Sequence, residues 1–62
     1  MLFSFGISNK TVKQLRKDKG HTVKELAELM KVSPHLIEQV DKRRLKHVPE
    51  PLKGGIIDAL GL

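Results

Sequence analysis

The stretch TVKELAELMKVSPHLIEQVDKRR, from Thr22 to Arg44, contains two helix-start signals and ends in a run of positive charge. Thr22 and Glu25 have the T-x-x-E spacing of a capping box. Ser33 is a favourable N-cap, and Pro34 stands at the first helical position, where a missing N–H costs nothing. The sequence therefore predicts two short helices separated by a turn of about three residues, the geometry of a helix-turn-helix.

The apolar residues of this stretch recur at helical spacing. The inward face of the first helix, with Leu29 at its edge, is predicted to hold Val23, Leu26, Ala27 and Met30. The inward stripe of the second is predicted to hold Leu36, Ile37 and Val40. The small side chain of Ala27 would let the two helices cross closely, with Val32 as an apolar plug in the turn.

One further helix is predicted on each side. The first covers about residues 9–19, capped by Ser8 or Asn9 and ended by Gly20. The last covers about residues 52–60, after a segment restrained by two prolines, and buries Leu52, Ile56 and Leu60 beside Ile57. Residues 1–8 are predicted as an apolar N-terminal arm. Residues 1–62 thus form one domain, a compact all-α bundle of about four short helices with a helix-turn-helix over about residues 22–42.

Composition narrows the class of protein. The 62 residues include no Cys, which excludes disulfides and thiolate metal sites. No apolar stretch approaches a membrane span, and no positive region precedes the short apolar N-terminus, so a cytoplasmic protein is expected. The formal charge is +5, and Lys42 to His47, KRRLKH, contains no acid. Such polarised positive charge is typical of a protein that binds a polyanion.

Nothing in the sequence indicates catalysis. The serines lack an evident His–acid arrangement, and no Gly-rich phosphate loop is present. His21, His35 and His47 are too far apart along the chain to be a metal pair on one helix turn. We therefore expect neither an enzyme nor a metal, cofactor or small-molecule substrate.

The second helix of the pair carries polar residues away from its apolar stripe. His35 and Gln39 are one turn apart and point the same way. Gln can pair bidentately with adenine, and His can donate to guanine N7 or O6 in the major groove. Glu38 either accepts from a cytosine amino group or restricts the choice of partner. The alternative is that all three are ordinary solvent-exposed helix residues.

The cationic residues suggest contacts with a phosphate backbone. Lys42, Arg43, Arg44 and Lys46 would position a protein on a nucleic acid without reading its sequence. Candidates for further phosphate contacts at the two helix N-termini are Thr22, Lys24 and Ser33. The alternative is a solvated loop.

The ordered set of residues in LRKDKGHTVKELAELMKVSPHLIEQVDKRR…ALGL resembles the Cro/C1-type helix-turn-helix family of phage and prophage repressors. The resemblance rests on Leu-Arg and Gly around the first helix, Leu-Ala in the second, Val-Ser before the third and the closing Ala-Leu-Gly. It implies a base contact by Gln39 and a structural ion pair between Arg16 and Asp41. The sequence departs from the family pattern at Val23, Lys31 and Arg43, and it ends where the family usually continues into a fifth helix.

The expected function is a sequence-specific double-stranded DNA-binding transcriptional regulator of phage, prophage or bacterial type, more specifically a repressor. It would act in the bacterial cytosol or nucleoid on an inverted-repeat operator. A weak homodimer is expected to use the terminal apolar residues Leu2, Phe3, Phe5 and Ile7, or Ile57, Leu60 and Leu62. The alternative, favoured by Val23, Pro34 and Glu38, is a helix-turn-helix module that binds protein, such as an antitoxin or an antirepressor-like adaptor.

Overall fold

The computed structural model describes residues 6–62, in which four α-helices follow one another through short connections. The helices are α1 (Val12–Asp18), α2 (Val23–Met30), α3 (Pro34–Val40) and α4 (Leu52–Leu60), with 3-10 turns at Ile7–Asn9 and Leu45–His47. Over the described residues there is no strand, only an isolated antiparallel bridge between Thr11 and Arg44. The prediction of a compact all-α bundle of four short helices is confirmed.

The predicted starts of α2 and α3 are confirmed. At α2, the Thr22 hydroxyl accepts from the Glu25 N–H at 3.1 Å, and the Glu25 carboxylate accepts from the Thr22 N–H at 2.8 Å. At α3, the Ser33 hydroxyl accepts from the His35 N–H at 3.1 Å. These side chains occupy N–H groups that the first turn of a helix leaves without partners.

The predicted start of α1 is wrong. The cap is Thr11, whose hydroxyl accepts from the Gln14 N–H at 3.1 Å while the Gln14 amide oxygen accepts from the Thr11 N–H at 2.9 Å. This reciprocal pair satisfies two donors, whereas Ser8 or Asn9 alone would satisfy one. Ser8 and Asn9 lie instead in the first 3-10 turn, so the predicted arm is not extended there. Its first five residues lie outside the described part of the chain.

The connection between α2 and α3 consists of three residues. Lys31 has φ 59° and ψ 42°, the left-handed conformation that ends many helices. The N–H of Val32 donates to the Ala27 carbonyl at 3.0 Å, and the Val32 side chain is half-buried. Ala27 of α2 is buried.

The hydrophobic core draws residues from all four helices. Its buried members are Val12, Leu15, Leu26, Ala27, Ile37, Val40, Leu45, Val48, Ile56 and Leu60. Leu45 and Val48 were not predicted, because the basic segment around them resembles an exposed loop. Four residues predicted to face inward are only half-buried: Val23, Met30, Leu36 and Leu52. None of the helices in the described region is long and apolar enough to span a bilayer.

The end of α3 is fastened to α1. The Arg16 guanidinium donates to both Asp41 carboxylate oxygens, at 3.2 Å from Nε and 2.9 Å from Nη2, and both residues are buried. Arg16 Nη1 also donates to the His21 carbonyl at 2.9 Å. The backbone N–H groups of Val12 and Lys13 donate to the carbonyls of Arg43 and Asp41. This pairing holds the C-terminal end of α3 at the N-terminal end of α1.

Candidate functional site

The outward face of α3 carries a cluster of three polar side chains. Gln39 Nε2 lies 3.3 Å from His35 Nε2, and His35 Nδ1 lies 3.8 Å from Glu38 Oε1. The side chains of His35 and Glu38 are 75% and 65% exposed. On the opposite side of the same helix Ile37 and Val40 are buried. The cluster is therefore displayed to solvent by a helix whose other face is fixed in the core.

The basic segment begins directly after this helix. Its four cations, Lys42, Arg43, Arg44 and Lys46, are all exposed. Their backbone is nevertheless anchored, because Leu45 is buried and its N–H donates to the Lys10 carbonyl at 3.0 Å. The segment therefore presents positive charge from a held backbone.

A cleft of about 680 Å³ joins the helix to the basic segment. Its polar lining comes from Gln39, Arg43 and His47, and its apolar lining from Leu36, Val40, Pro49 and Leu52. His47 was not among the predicted site residues, although it closes the KRRLKH run. Amide, guanidinium and imidazole groups can all donate to phosphate oxygens or to base acceptors.

Of the candidate phosphate ligands at the starts of α2 and α3, Thr22 is less available than predicted. Thr22, Lys24 and Ser33 are exposed, as a surface contact requires. However, the Thr22 N–H and hydroxyl are both engaged by Glu25. The hydrogen bond from the Thr22 N–H is the main cause that lowers the pKa of the Glu25 carboxyl, and the Thr22 side chain and nearby His21 lower it further. A carboxylate at this helix end competes with a phosphate, so Thr22 is a poorer phosphate ligand than the sequence suggested.

A second concave surface lies on α2 and α4. This apolar groove, of about 790 Å³, is lined by Leu29, Met30, Val32, Leu36, Pro49, Glu50, Pro51, Leu52, Gly55, Asp58 and Ala59. Among the described residues Leu29 is the large apolar side chain that is most exposed, at 53%. The two acids are the charged groups of the lining. Sequence periodicity placed Leu29 at the edge of its helix, but it could not assemble a groove from three separate segments.

The apolar residues predicted for dimer contacts are less free than expected. Leu60 is buried in the core, and Ile7, Ile57 and Leu62 are partly buried against it. Leu2, Phe3 and Phe5 lie outside the described residues. Within residues 6–62 the most exposed large apolar side chain is therefore that of Leu29, in the groove.

The described residues contain no group of three His, Asp or Glu side chains placed to hold a metal ion. Comparisons with protein-family models, curated proteins and solved structures gave no match to this chain.

Proposed function

We propose that this protein is a sequence-specific double-stranded DNA-binding regulator in which α2 and α3 form a helix-turn-helix. The observation that carries the proposal is the placement of His35 and Gln39 on the free face of α3, immediately before an acid-free run of cations. An α-helix fits the major groove, where Gln and His can contact base edges. Binding would occlude a promoter, and two copies would match an inverted-repeat operator.

The positive charge after α3 and the hydrogen bonds that hold its backbone support separate roles for this segment and for α3. The cations after α3 would grip phosphates and set the register of the protein, while α3 would read bases. The bridge at Arg44 and the bond from Val12 to the Arg43 carbonyl hold this segment through its backbone. Substituting the Arg43 and Arg44 side chains should therefore remove charge without releasing the segment.

The test is binding to duplex DNA, followed by fluorescence anisotropy between about 50 and 200 mM salt. Each phosphate contact contributes about 0.9 to the slope of log affinity against log salt. Replacing Arg43 and Arg44 together by Ala should flatten that slope by up to about two. A matched control is Lys17→Ala with Lys19→Ala, which removes the same charge from the other end of α1 and should flatten it less.

Two results would count against the proposal in different ways. An unchanged slope for the Arg43 and Arg44 double variant would remove the phosphate role of these residues. No salt-dependent binding to any duplex at low salt would overturn DNA binding as a whole.

A second candidate function is a protein-interaction module with the same helices. The apolar groove around Leu29, with Glu50 and Asp58 in its lining, favours it. The chemistry of the groove fits an apolar segment that carries a positive charge.

A second copy of this chain, expected for a dimer, is one source of such a segment. Sedimentation at increasing concentration, with and without DNA, should show self-association that Leu29→Lys weakens. A monomer at millimolar concentration in both conditions would contradict the dimer.

A further inference from the structure

Three polar residues on the free face of α3 form a chain of contacts. Glu38 Oε1 approaches His35 Nδ1 at 3.8 Å, and His35 Nε2 approaches Gln39 Nε2 at 3.3 Å. They are spaced three and four residues apart, so one helical turn brings them together. The chain ends on the residue assigned above to base reading.

One tautomer of His35 satisfies both contacts. An amide nitrogen only donates, so the 3.3 Å contact is a hydrogen bond only when His35 Nε2 has no proton and accepts. The ring proton of neutral His35 then lies on Nδ1, the nitrogen that faces the Glu38 carboxylate. A negative charge at that position favours this tautomer. In this tautomer Nε2 of His35 is free to accept from the Gln39 amide.

An amide held in this way has one hydrogen-bond donor and one acceptor left for a ligand. One Gln39 N–H is used by His35, which leaves its second N–H and its Oε1 for a ligand. A donor beside an acceptor matches adenine, which presents the N7 acceptor and the N6 donor in the major groove. Guanine presents two acceptors, N7 and O6, and does not match this arrangement.

We propose that His35 and Glu38 are positioning residues that hold the Gln39 amide for reading adenine. This inference rests on the proposed function and sharpens it. Gln39 makes the base contact, while His35 and Glu38 act through it rather than on bases of their own.

The first experiment needs no DNA. Two-dimensional ¹H–¹⁵N NMR of the imidazole nitrogens reports the tautomer of His35 in the free protein. At pH 8 the proton should lie mainly on Nδ1, and Glu38→Gln should move part of the population to Nε2–H. A ring mainly protonated at Nε2 in the wild-type protein would overturn the inference.

The second experiment measures base preference. Selection from random duplexes, compared between wild type and Gln39→Ala, identifies the base pair that Gln39 reads. Affinities for duplexes with adenine or guanine there are then measured under the same buffer and salt. The preference for adenine should be about tenfold, within the range of one bidentate contact. Because the preference is a ratio, general effects of charge on affinity cancel.

The variants separate this inference from the function on which it rests. His35→Ala should weaken the adenine preference severalfold, whereas the control His21→Gln should keep the wild-type preference. If His35→Ala retains the full preference, the positioning role is overturned although DNA binding stands. If no duplex binds, the proposed function itself fails. The NMR measurement still decides the state of the Glu38–His35–Gln39 chain in that case.

Discussion

The two ends of α3 are held in different ways. Its C-terminal end is fastened to α1 by the buried Arg16–Asp41 pair and by backbone bonds to residues distant in sequence. Its N-terminal end has local fastenings, the Ser33 cap and the left-handed turn at Lys31. The contacts at the C-terminal end, made with residues distant in sequence, fix where the helix lies. The contacts at the N-terminal end are made within a few residues and leave the outward face of the helix free. A helix that displays side chains to a ligand benefits from this division, because changes on the display face do not disturb its support.

The largest effect on stability is expected at the C-terminal end of α3. Asp41→Ala leaves the Arg16 guanidinium buried without its carboxylate, which costs about 3–5 kcal/mol. Domains of this length have only several kcal/mol of stability, so the variant should be largely unfolded at 25 °C. Urea titration followed by circular dichroism measures the change in the free energy of unfolding.

A matched control is available on the surface. Lys10 and Asp18 approach as closely as Arg16 and Asp41, 3.0 Å against 2.9 Å, but their side chains are 50% and 56% exposed. Asp18→Ala should cost less than about 1 kcal/mol. Equal losses for the two variants would show that burial does not distinguish the pairs, and the contrast between the two ends of α3 would fail.

The sequence predicted the locally determined parts of this structure. The capping box at Thr22, the Ser-Pro start of α3 and the apolar spacing of α4 each act within one turn, so the pattern identifies them. The start of α1 was also available locally, since Thr11 and Gln14 have capping-box spacing, but nearby Ser8 and Asn9 offered competing caps. Burial of Leu45 was not predictable, because it depends on a contact with the Lys10 carbonyl far away in sequence.

The candidate site was likewise predictable from the sequence only in its locally determined part. The proximity of His35 and Gln39 follows from helical spacing, and periodicity placed both on the outward face. The cleft that joins Gln39 to Arg43 and His47 requires the path of the chain after α3, which no periodic pattern describes. The roles proposed within the cluster likewise rest on interatomic distances, since the residue types alone also allow Glu38 to contact cytosine.

A smaller effect is expected before the N-terminal end of α3, where a substitution should stabilise the protein rather than destabilise it. Lys31 is the one residue other than glycine with positive φ in the described chain, and such a conformation costs a side-chain-bearing residue about 1–2 kcal/mol. Lys31→Gly should raise the free energy of unfolding by about 0.5–1 kcal/mol, after the greater entropy of glycine in the unfolded chain is subtracted. Lys31→Ala, which removes the charge and retains the strained backbone, should stay near the wild type. Equal stabilisation by Gly and Ala would attribute the effect to charge instead.

The smallest effect on stability is expected from the hydrogen bonds of the two capping boxes, at the starts of α1 and α2. At α2 the box contains the titratable Glu25, whose pKa is lowered by the hydrogen bond from the Thr22 N–H; at α1 it contains the neutral Gln14. Because the pKa of Glu25 is lower in the folded protein than in the unfolded chain, its stabilisation is present above the unfolded pKa. It is lost as pH falls through the folded pKa. Thermal midpoints measured from about pH 6 to pH 3 should therefore fall less steeply for Glu25→Gln than for the wild type. Gln14→Glu, which gives α1 the same titratable box, should fall more steeply. If both variants follow the wild-type profile, the boxes stabilise these helices without help from the carboxylate charge.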